Sequence, residues 1–255
     1  MWDQHLQGKK IGLELGKTPF DPARPSLLLV HGAGGRGDGW LPQLSGLARE
    51  VNAAALDLPG HGHSPGPGLE SIAAYAAWVM DFLAAGPVRP VLMGHSMGGA
   101  IAQTVALTRP ELLKGLILVG TGARLRVAPA ILDGIKRDFR ATVELIVGYA
   151  YAPGADPALI KEGTRRLLQN RPEVLWGDFR ACDKFDVLGR LGEIRLPTLI
   201  VVGEKDMLTP LKYSQFLAER IPGAVLELVP DAGHMVFLEQ YQEFNRTVLD
   251  FMAQR

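Results

Sequence analysis

Six short apolar runs, each followed by a glycine or another turn residue, are the feature of this sequence that most constrains its fold. They lie at residues 27–30, 53–56, 91–93, 116–119, 199–202 and 226–229. Continuous runs of this kind are typical of parallel strands that are covered on both faces. Stretches with helical periodicity separate them, at about 69–85, 97–108, 211–221 and 236–252. The alternation predicts an α/β protein whose mostly parallel central sheet is flanked by helices, with residues before about Thr18 as an antiparallel edge.

The alternation stops between residues 121 and 192, where only helical patterns are found. Apolar side chains recur there at three-to-four spacing, at Ile131, Leu132, Ile135, Phe139, Val143, Ile146 and Tyr149. An insertion of this length after a strand is too long for a loop, and it predicts a helical lid over the carboxyl edge of the sheet. We therefore divide the chain into a core domain, residues 1-120 and 193-255, and a lid subdomain, residues 121-192.

Composition excludes several classes of protein. Lys+Arg and Asp+Glu both total 27, so the net charge is zero and we expect no nucleic-acid partner. The single cysteine, Cys182, excludes an internal disulfide and a cysteine-built metal site. The first ten residues contain no apolar stretch of the signal-peptide type, and no later run of about 18 apolar residues could span a membrane. We expect a cytoplasmic protein without a membrane span.

The segment Gly94-His95-Ser96-Met97-Gly98 fits the pattern G-x-S-x-G at a strand-to-helix junction. In this sharp turn a serine hydroxyl stands above the sheet at the start of a helix, where the helix dipole favours developing negative charge. Such a short pattern also recurs by chance, so the interpretation of Ser96 as a nucleophile depends on finding its partners.

A serine nucleophile needs a base, and a histidine base needs a carboxylate to orient it. His234 follows the last predicted strand, and Asp206 follows the strand before it, so both are expected at the carboxyl edge of the sheet. Glu204 is the nearest rival for the acid. The chain order Ser96, Asp206, His234 is that of α/β-hydrolases. The remaining histidines have weaker claims as the base: His5, His31, His61, His63 and His95.

With these motifs the chain resembles the α/β-hydrolase superfamily, in its small, lidded, carboxylesterase-like branch. Two loops add to the resemblance: 31–35, which is similar to the family's oxyanion loop, and 57–64, which is similar to its D-x-P-G-x-G-x-S loop. The resemblance implies a lid inserted after the sixth strand and an oxyanion hole formed by the backbone N–H groups of Ala33 and Met97. We expect structural roles for His31 and for the loop that begins at Asp57.

The resemblance implies a serine hydrolase that cleaves carboxylic esters of small to medium acyl or alcohol groups through an acyl-enzyme. It implies that the protein uses no cofactor and no metal ion. It also implies that the partner is a small-molecule ester substrate. Trp40, Phe139 and Trp176 are candidate walls of the substrate pocket, although core packing is the commoner fate of such aromatic residues.

Other activities on the same fold stay open. A carbon–carbon bond hydrolase is less favoured, because His95 and Met235 replace the asparagine and tryptophan typical of that branch. A cofactor-free perhydrolase, an acyltransferase and a non-catalytic ligand receptor are further alternatives. The sequence predicts neither the natural substrate nor the oligomeric state.

Overall fold

A single seven-stranded sheet organises residues 11–254, the part of the chain that the computed structural model describes. Its strands are β1 (Leu13–Leu15), β2 (Ser26–Val30), β3 (Asn52–Leu56), β4 (Val91–His95), β5 (Gly115–Val119), β6 (Thr198–Gly203) and β7 (Val225–Val229). They lie in the order β1-β3-β2-β4-β5-β6-β7. Only β1 is antiparallel to its neighbour, and the other pairs are parallel. The predicted mostly parallel sheet with an antiparallel edge is therefore confirmed.

Helices cover both faces of this sheet. Those of the described residues are α1 (Leu41–Gly46), α2 (Ile72–Ala85), α3 (Met97–Thr108), α4 (Pro129–Arg137), α5 (Phe139–Ala150), α6 (Pro157–Leu167), α7 (Pro172–Lys184), α8 (Leu211–Arg220), α9 (Val236–Glu239) and α10 (Tyr241–Met252). None of them is long and apolar enough to cross a membrane.

Alternate residues of each strand belong to two separate apolar cores. Leu28 and Leu92 face the core that α2, α3 and α8 close, whereas Leu29 and Met93 face the core that α1 and α10 close. Burial on both faces explains why the strands read as continuous apolar runs. The N-terminal ends of α3 and α9, and the loops after β6 and β7, consequently meet at one carboxyl edge of the sheet.

The four helices α4 to α7 form the insertion, which leaves the sheet after β5 and returns to it at β6. Its two ends lie side by side, because Val187 N–H donates to the Ala123 carbonyl at 2.8 Å. The insertion follows the fifth strand of the described residues, not the sixth as predicted. The difference arises at the amino-terminal edge, where the described residues contribute the single strand β1 ahead of β2.

Candidate active site

Ser96 occupies a strained turn between β4 and α3. Its backbone has a φ of 52° and a ψ of −114°, a conformation that costs a non-glycine residue about 1–3 kcal/mol. The turn is possible because glycines flank it. A Cβ on Gly94 would lie 2.1 Å from the Gly98 carbonyl oxygen, and one on Gly98 would lie 2.3 Å from that of Val30. The predicted sharp turn at a strand-to-helix junction is thus present at Ser96.

The Asp206 side chain is held in one orientation by four donors. Its Oδ1 accepts the backbone N–H groups of Leu208, at 2.9 Å, and of Thr209, at 2.8 Å. Its Oδ2 accepts the Thr209 hydroxyl at 2.8 Å and the Nδ1 of His234 at 2.9 Å. Both partners of the Asp206–His234 pair are buried. A carboxylate in this position keeps the proton of His234 on Nδ1, so that Nε2 carries the lone pair that a general base needs.

Electrostatics favour an ionised Asp206. Burial raises the pKa of a carboxyl group, but at Asp206 the neighbouring His234 and the hydrogen bonds from His234 and Thr209 outweigh it and lower the pKa below its usual range. An ionised carboxylate stabilises the imidazolium that forms when His234 takes a proton.

Two residues that the sequence analysis did not assign support His234. The Thr209 hydroxyl, which donates to Asp206, lies 3.2 Å from His234 Nδ1. His95 donates from Nε2 to the backbone carbonyl of His234 at 3.0 Å, and the two rings are 4.5 Å apart. Burial, followed by the nearby His234, holds the pKa of His95 well below its usual value, so this ring stays neutral and serves as a fixed donor. No motif would have identified these supports, because both depend on contacts across the sheet edge.

Ser96 and His234 line the same cavity. Within residues 11–254, no hydrogen bond yet joins the Ser96 hydroxyl to the ring of His234. Catalytic hydrogen bonds are often long or poorly aligned in the absence of substrate, so this arrangement is compatible with His234 as the base for Ser96. The structure therefore places Ser96 and His234 on the wall of one cavity. Of the two hydrogen bonds expected in the triad, it contains the one between Asp206 and His234.

The two predicted oxyanion donors are backbone N–H groups without a hydrogen-bond partner among the described residues. In the described part of the chain, neither the Ala33 nor the Met97 backbone N–H donates to another protein group. Met97 is the first residue of α3, where an N–H has no partner within the helix. Ala33 lines the cavity. Ser96, which directly precedes Met97, lines it as well.

His31 braces the loop that carries Ala33. Its Nδ1 donates to the Gly32 carbonyl at 2.8 Å, and its Nε2 accepts the Leu58 N–H at 3.1 Å. Burial, followed by the nearby His61, lowers the pKa of His31 to about 3, which keeps the ring neutral and this pair of hydrogen bonds intact. The structural role that we expected for His31 agrees with these contacts.

A cavity of about 820 Å³ extends from Ser96 beneath the helical insertion. Of the three predicted wall residues, only Trp40 lines it, stacked on Phe237 with the ring centroids 4.1 Å apart. Phe139 and Trp176 lie outside the cavity, which corrects the prediction for both. They pack into the small core among helices α4 to α7, and Lys136 Nζ lies over the ring of Trp176, 3.8 Å from its centroid.

The wall of the cavity is mostly apolar, and aliphatic side chains are its largest group. They include Leu125, Val127, Ile131, Leu145, Ile146, Val147, Leu159, Leu167, Leu208 and Leu238. Sequence periodicity marks such positions as apolar, but it does not distinguish a cavity wall from a packed core.

The other carboxylates near the site have separate functions in the structure. Asp57 is buried and accepts the N–H groups of Gly37 and His63, both at 2.7 Å, which holds two loops together. Asp231 is exposed and pairs with Lys205. Glu204 approaches the Asp231 N–H at 3.4 Å. None of these three makes a hydrogen bond to the His234 ring within the described residues.

Known proteins resemble this chain along most of its length. The sequence profile of the alpha/beta hydrolase family matches residues 27–247. The chain is 30% identical, over 241 residues, to a pimeloyl-(acyl-carrier protein) methyl ester esterase from Photobacterium profundum, which covers 89% of this chain and 94% of that protein. It is 32% identical, over 250 residues, to a protein named as a carbamate hydrolase, RutD, from Rhizobium rhizogenes, with 92% and 95% coverage.

Among solved structures, that of a thermophilic esterase shares 37% sequence identity and superposes with a TM-score of 0.86, covering 96% of this chain and 93% of the other. The match of the family profile spans most of the chain, and the relatives are covered almost from end to end. The chain therefore belongs to the alpha/beta hydrolase family.

Proposed function

We propose that this protein hydrolyses carboxylic esters through an acyl-enzyme formed on Ser96. The observation that carries the proposal is the arrangement at one end of the cavity. A strained serine turn opens into the same space as His234, whose Nδ1 is bound to the buried Asp206 at 2.9 Å. Fold alone does not decide the reaction, but this combination of nucleophile, base and acid performs acyl transfer in serine hydrolases of several unrelated folds.

The first half of the reaction transfers the acyl group to the enzyme. The Ser96 Oγ attacks the ester carbonyl while His234 Nε2 takes the hydroxyl proton, and the charge that develops on the carbonyl oxygen is bound by the N–H groups of Ala33 and Met97. Each such donor lowers the barrier by about 3 kcal/mol. When the intermediate collapses, the C–O bond to the alcohol breaks and His234 returns its proton to the departing oxygen.

The second half releases the acid. Water enters the space that the alcohol has left, and His234 takes its proton as it attacks the acyl carbon. The same two N–H groups bind the second oxyanion, and the proton then passes to Ser96 Oγ as the acyl bond breaks. Asp206 stays ionised throughout and stabilises the imidazolium in both halves.

We infer that residues 121–192 act as a lid that shapes the substrate pocket over the core of residues 1–120 and 193–255. The insertion supplies much of the cavity wall. Three residues of that wall have exposed apolar side chains: Leu145 and Tyr149 from the insertion, and Met207 from the core. A volume of about 820 Å³ suits an ester with a small to medium apolar acyl or alcohol group. The cytoplasmic location stays a prediction from the sequence.

The named activities of the relatives support the same class of reaction. Esterases match over nearly the whole chain, and a carbamate, as in the name of the RutD relatives, presents the same kind of acyl carbonyl to a serine. The names of these relatives therefore favour hydrolysis of an ester over the carbon–carbon hydrolase, perhydrolase and receptor alternatives.

The experiment is a substrate panel measured with the wild-type protein and with Ser96→Ala. The panel contains p-nitrophenyl esters of graded acyl length, an aryl carbamate, a vinylogous 1,5-diketone, and hydrogen peroxide with acetate, bromide and a halogen acceptor. We expect the esters to be turned over fastest, and Ser96→Ala to reduce that rate to background. Faster cleavage of the diketone or the carbamate than of every ester would replace the proposal by that activity, and tight binding of the esters without turnover would indicate a receptor.

A further inference from the structure

Three consecutive peptide groups of the loop that carries Ala33 are each held by a separate partner. The Gly32 carbonyl, which belongs to the same peptide as the Ala33 N–H, accepts from His31 Nδ1 at 2.8 Å and from the Gly35 N–H at 3.0 Å. The Gly34 N–H and the Gly34 carbonyl belong to the two peptides that follow. The direction of the Ala33 N–H therefore depends on how this short turn is held as a whole.

The second and third of these peptides are held from the lid. The Gly34 N–H donates to Asp178 Oδ2, on α7, at 2.8 Å. The Gly34 carbonyl accepts from the side-chain amide of Asn170, which lies between α6 and α7, also at 2.8 Å. The residues concerned are 144 and 136 positions apart along the chain, so these contacts join the lid to the core.

Gly34 is also enclosed by the lid. Its φ is +64°, in the region that favours glycine, and a Cβ there would lie 2.5 Å from a methyl group of Leu167 and 2.6 Å from one of Leu175. The lid therefore fits closely around this turn, and the turn has no room to shift toward it.

The acceptor on α7 is a buried charged group. Asp178 is fully buried, and besides Gly34 it binds His61 Nε2 through Oδ2 at 2.8 Å and the Tyr75 hydroxyl through Oδ1 at 2.6 Å. His61 in turn contacts the Pro59 carbonyl through Nδ1 at 3.1 Å. Burial lowers the pKa of His61, but Asp178 and the hydrogen bonds outweigh it and raise the pKa overall, which favours the doubly protonated ring that both contacts require. Hydrogen bonds to a charged acceptor are roughly twice as strong as neutral ones.

We propose that Asp178 is a positioning residue for ester hydrolysis, through which the lid holds the oxyanion loop at Gly34 and so aims the Ala33 N–H at the reacting carbonyl. Asp178 does not touch the substrate; it acts through the backbone of the loop. The inference rests on the proposed function, and it assigns to the lid a part in the chemical step as well as in the shape of the pocket.

The main test is Asp178→Asn, with Asp183→Asn as the matched control. Asp183 lies on the same helix and also accepts a backbone N–H, that of Val127 at 3.1 Å, but it does not contact the oxyanion loop. An amide at position 178 is a weaker acceptor, and it removes the negative charge that raises the pKa of His61. A neutral His61 ring can donate to only one of its two present acceptors, position 178 and the Pro59 carbonyl. Complete loss of one oxyanion donor costs about 10²–10³-fold in kcat, and a displaced donor less, so we expect Asp178→Asn to lower kcat about 10-fold to 100-fold.

A merely structural role would lower thermal stability without this kinetic pattern. We expect KM to stay within about twofold of the wild-type value, because an interaction made only with the oxyanion is absent from the ground state. The control Asp183→Asn should keep kcat within about twofold. The proposal is overturned if folded Asp178→Asn retains kcat within about twofold, or if Asp183→Asn loses as much.

A measurement on the wild-type protein keeps the proposal testable if Asp178→Asn does not fold. The Gly34 amide, bound to a buried carboxylate, should exchange with solvent at least about 100-fold more slowly than an unstructured glycine amide. Exchange at the unstructured rate would overturn the proposal. If instead the wild-type protein neither hydrolyses esters nor reacts with a fluorophosphonate, the proposed function fails, and the exchange of Gly34 still tests the link between lid and loop.

Discussion

Replacing Asp206 by asparagine should abolish most of the activity, for a reason that the hydrogen bonds of this residue make specific. Asp206 Oδ1 accepts two backbone N–H groups, those of Leu208 and Thr209. An asparagine at this position must turn its carbonyl oxygen toward these two donors. Its NH₂ group then faces His234 Nδ1 and donates to it, which leaves the proton of the imidazole on Nε2. A ring in that tautomer cannot accept the proton of Ser96.

The size of the effect follows from the cost of the opposite amide orientation. Turning the carbonyl oxygen toward His234 would leave the two backbone donors unsatisfied, at about 1–3 kcal/mol each. A total of about 4 kcal/mol corresponds to a productive fraction on the order of 10⁻³. We therefore expect kcat of Asp206→Asn to fall about 10³-fold or more. Because the amide keeps the two backbone hydrogen bonds, we expect the free energy of unfolding to change by less than about 2 kcal/mol.

The assay is hydrolysis of p-nitrophenyl acetate, with thermal unfolding measured on the same samples. Asp231→Asn is the matched control, since Asp231 precedes His234 by three residues and its side chain, which is 73% exposed, pairs with Lys205 at the surface. It should retain nearly the full rate, as exposed ion pairs contribute about 0–1 kcal/mol. The reasoning is refuted if folded Asp206→Asn keeps more than about a tenth of the rate, or if Asp231→Asn loses more.

Two further predictions concern stability. Burial of His31 lowers its pKa from 6.5 to about 3, so the unfolded chain binds a proton there more tightly than the folded protein does. The free energy of unfolding therefore falls as the pH drops below 6.5, and at pH 5 the loss is about 2 kcal/mol. Urea unfolding at pH 7.5 and at pH 5 gives the loss of unfolding free energy between the two conditions. This loss should be about 2 kcal/mol smaller in His31→Gln than in the wild-type protein, and an equal loss in both would contradict the role given to His31. Glu239 accepts the N–H groups of Ala152, at 2.8 Å, and Gly233, at 3.0 Å. Glu239→Gln turns an NH₂ group toward one of these two N–H groups and leaves it without an acceptor, which should destabilise the protein by about 1–3 kcal/mol, whereas an unchanged melting temperature would show that the link carries no stability.

The sheet could be predicted because parallel strands buried on both faces have a pattern that few other structures share. Each predicted strand lies within two residues of an observed one, and the motif around Ser96 marks the junction of β4 and α3. The residues Asp206 and His234 could be placed at the same edge because both directly follow strands of that sheet. The sequence shows which residues follow a strand. Because the strands are parallel, the residues that follow them lie together at one edge of the sheet.

Contacts between distant parts of the chain could not be predicted in this way. Nothing near Asp178 or Asn170 in the sequence indicates that they bind Gly34, because the packing of the lid on the core decides it. The same limitation explains the corrections at Phe139 and Trp176. An amphipathic lid helix can direct its apolar face toward the cavity or toward its neighbours, and here both aromatic residues pack against the other lid helices.

The most direct test of the account is to trap the acyl-enzyme and locate it. The wild-type protein is mixed with a p-nitrophenyl ester and quenched in acid within milliseconds, and in parallel it is treated with a fluorophosphonate; both samples are digested and mapped by mass spectrometry. We predict that the acyl and phosphonyl groups are both found on the peptide that contains Ser96, and that Ser96→Ala carries neither and has lost ester turnover. Modification of a different residue, or unimpaired turnover by Ser96→Ala, would contradict the claim that this serine is the nucleophile.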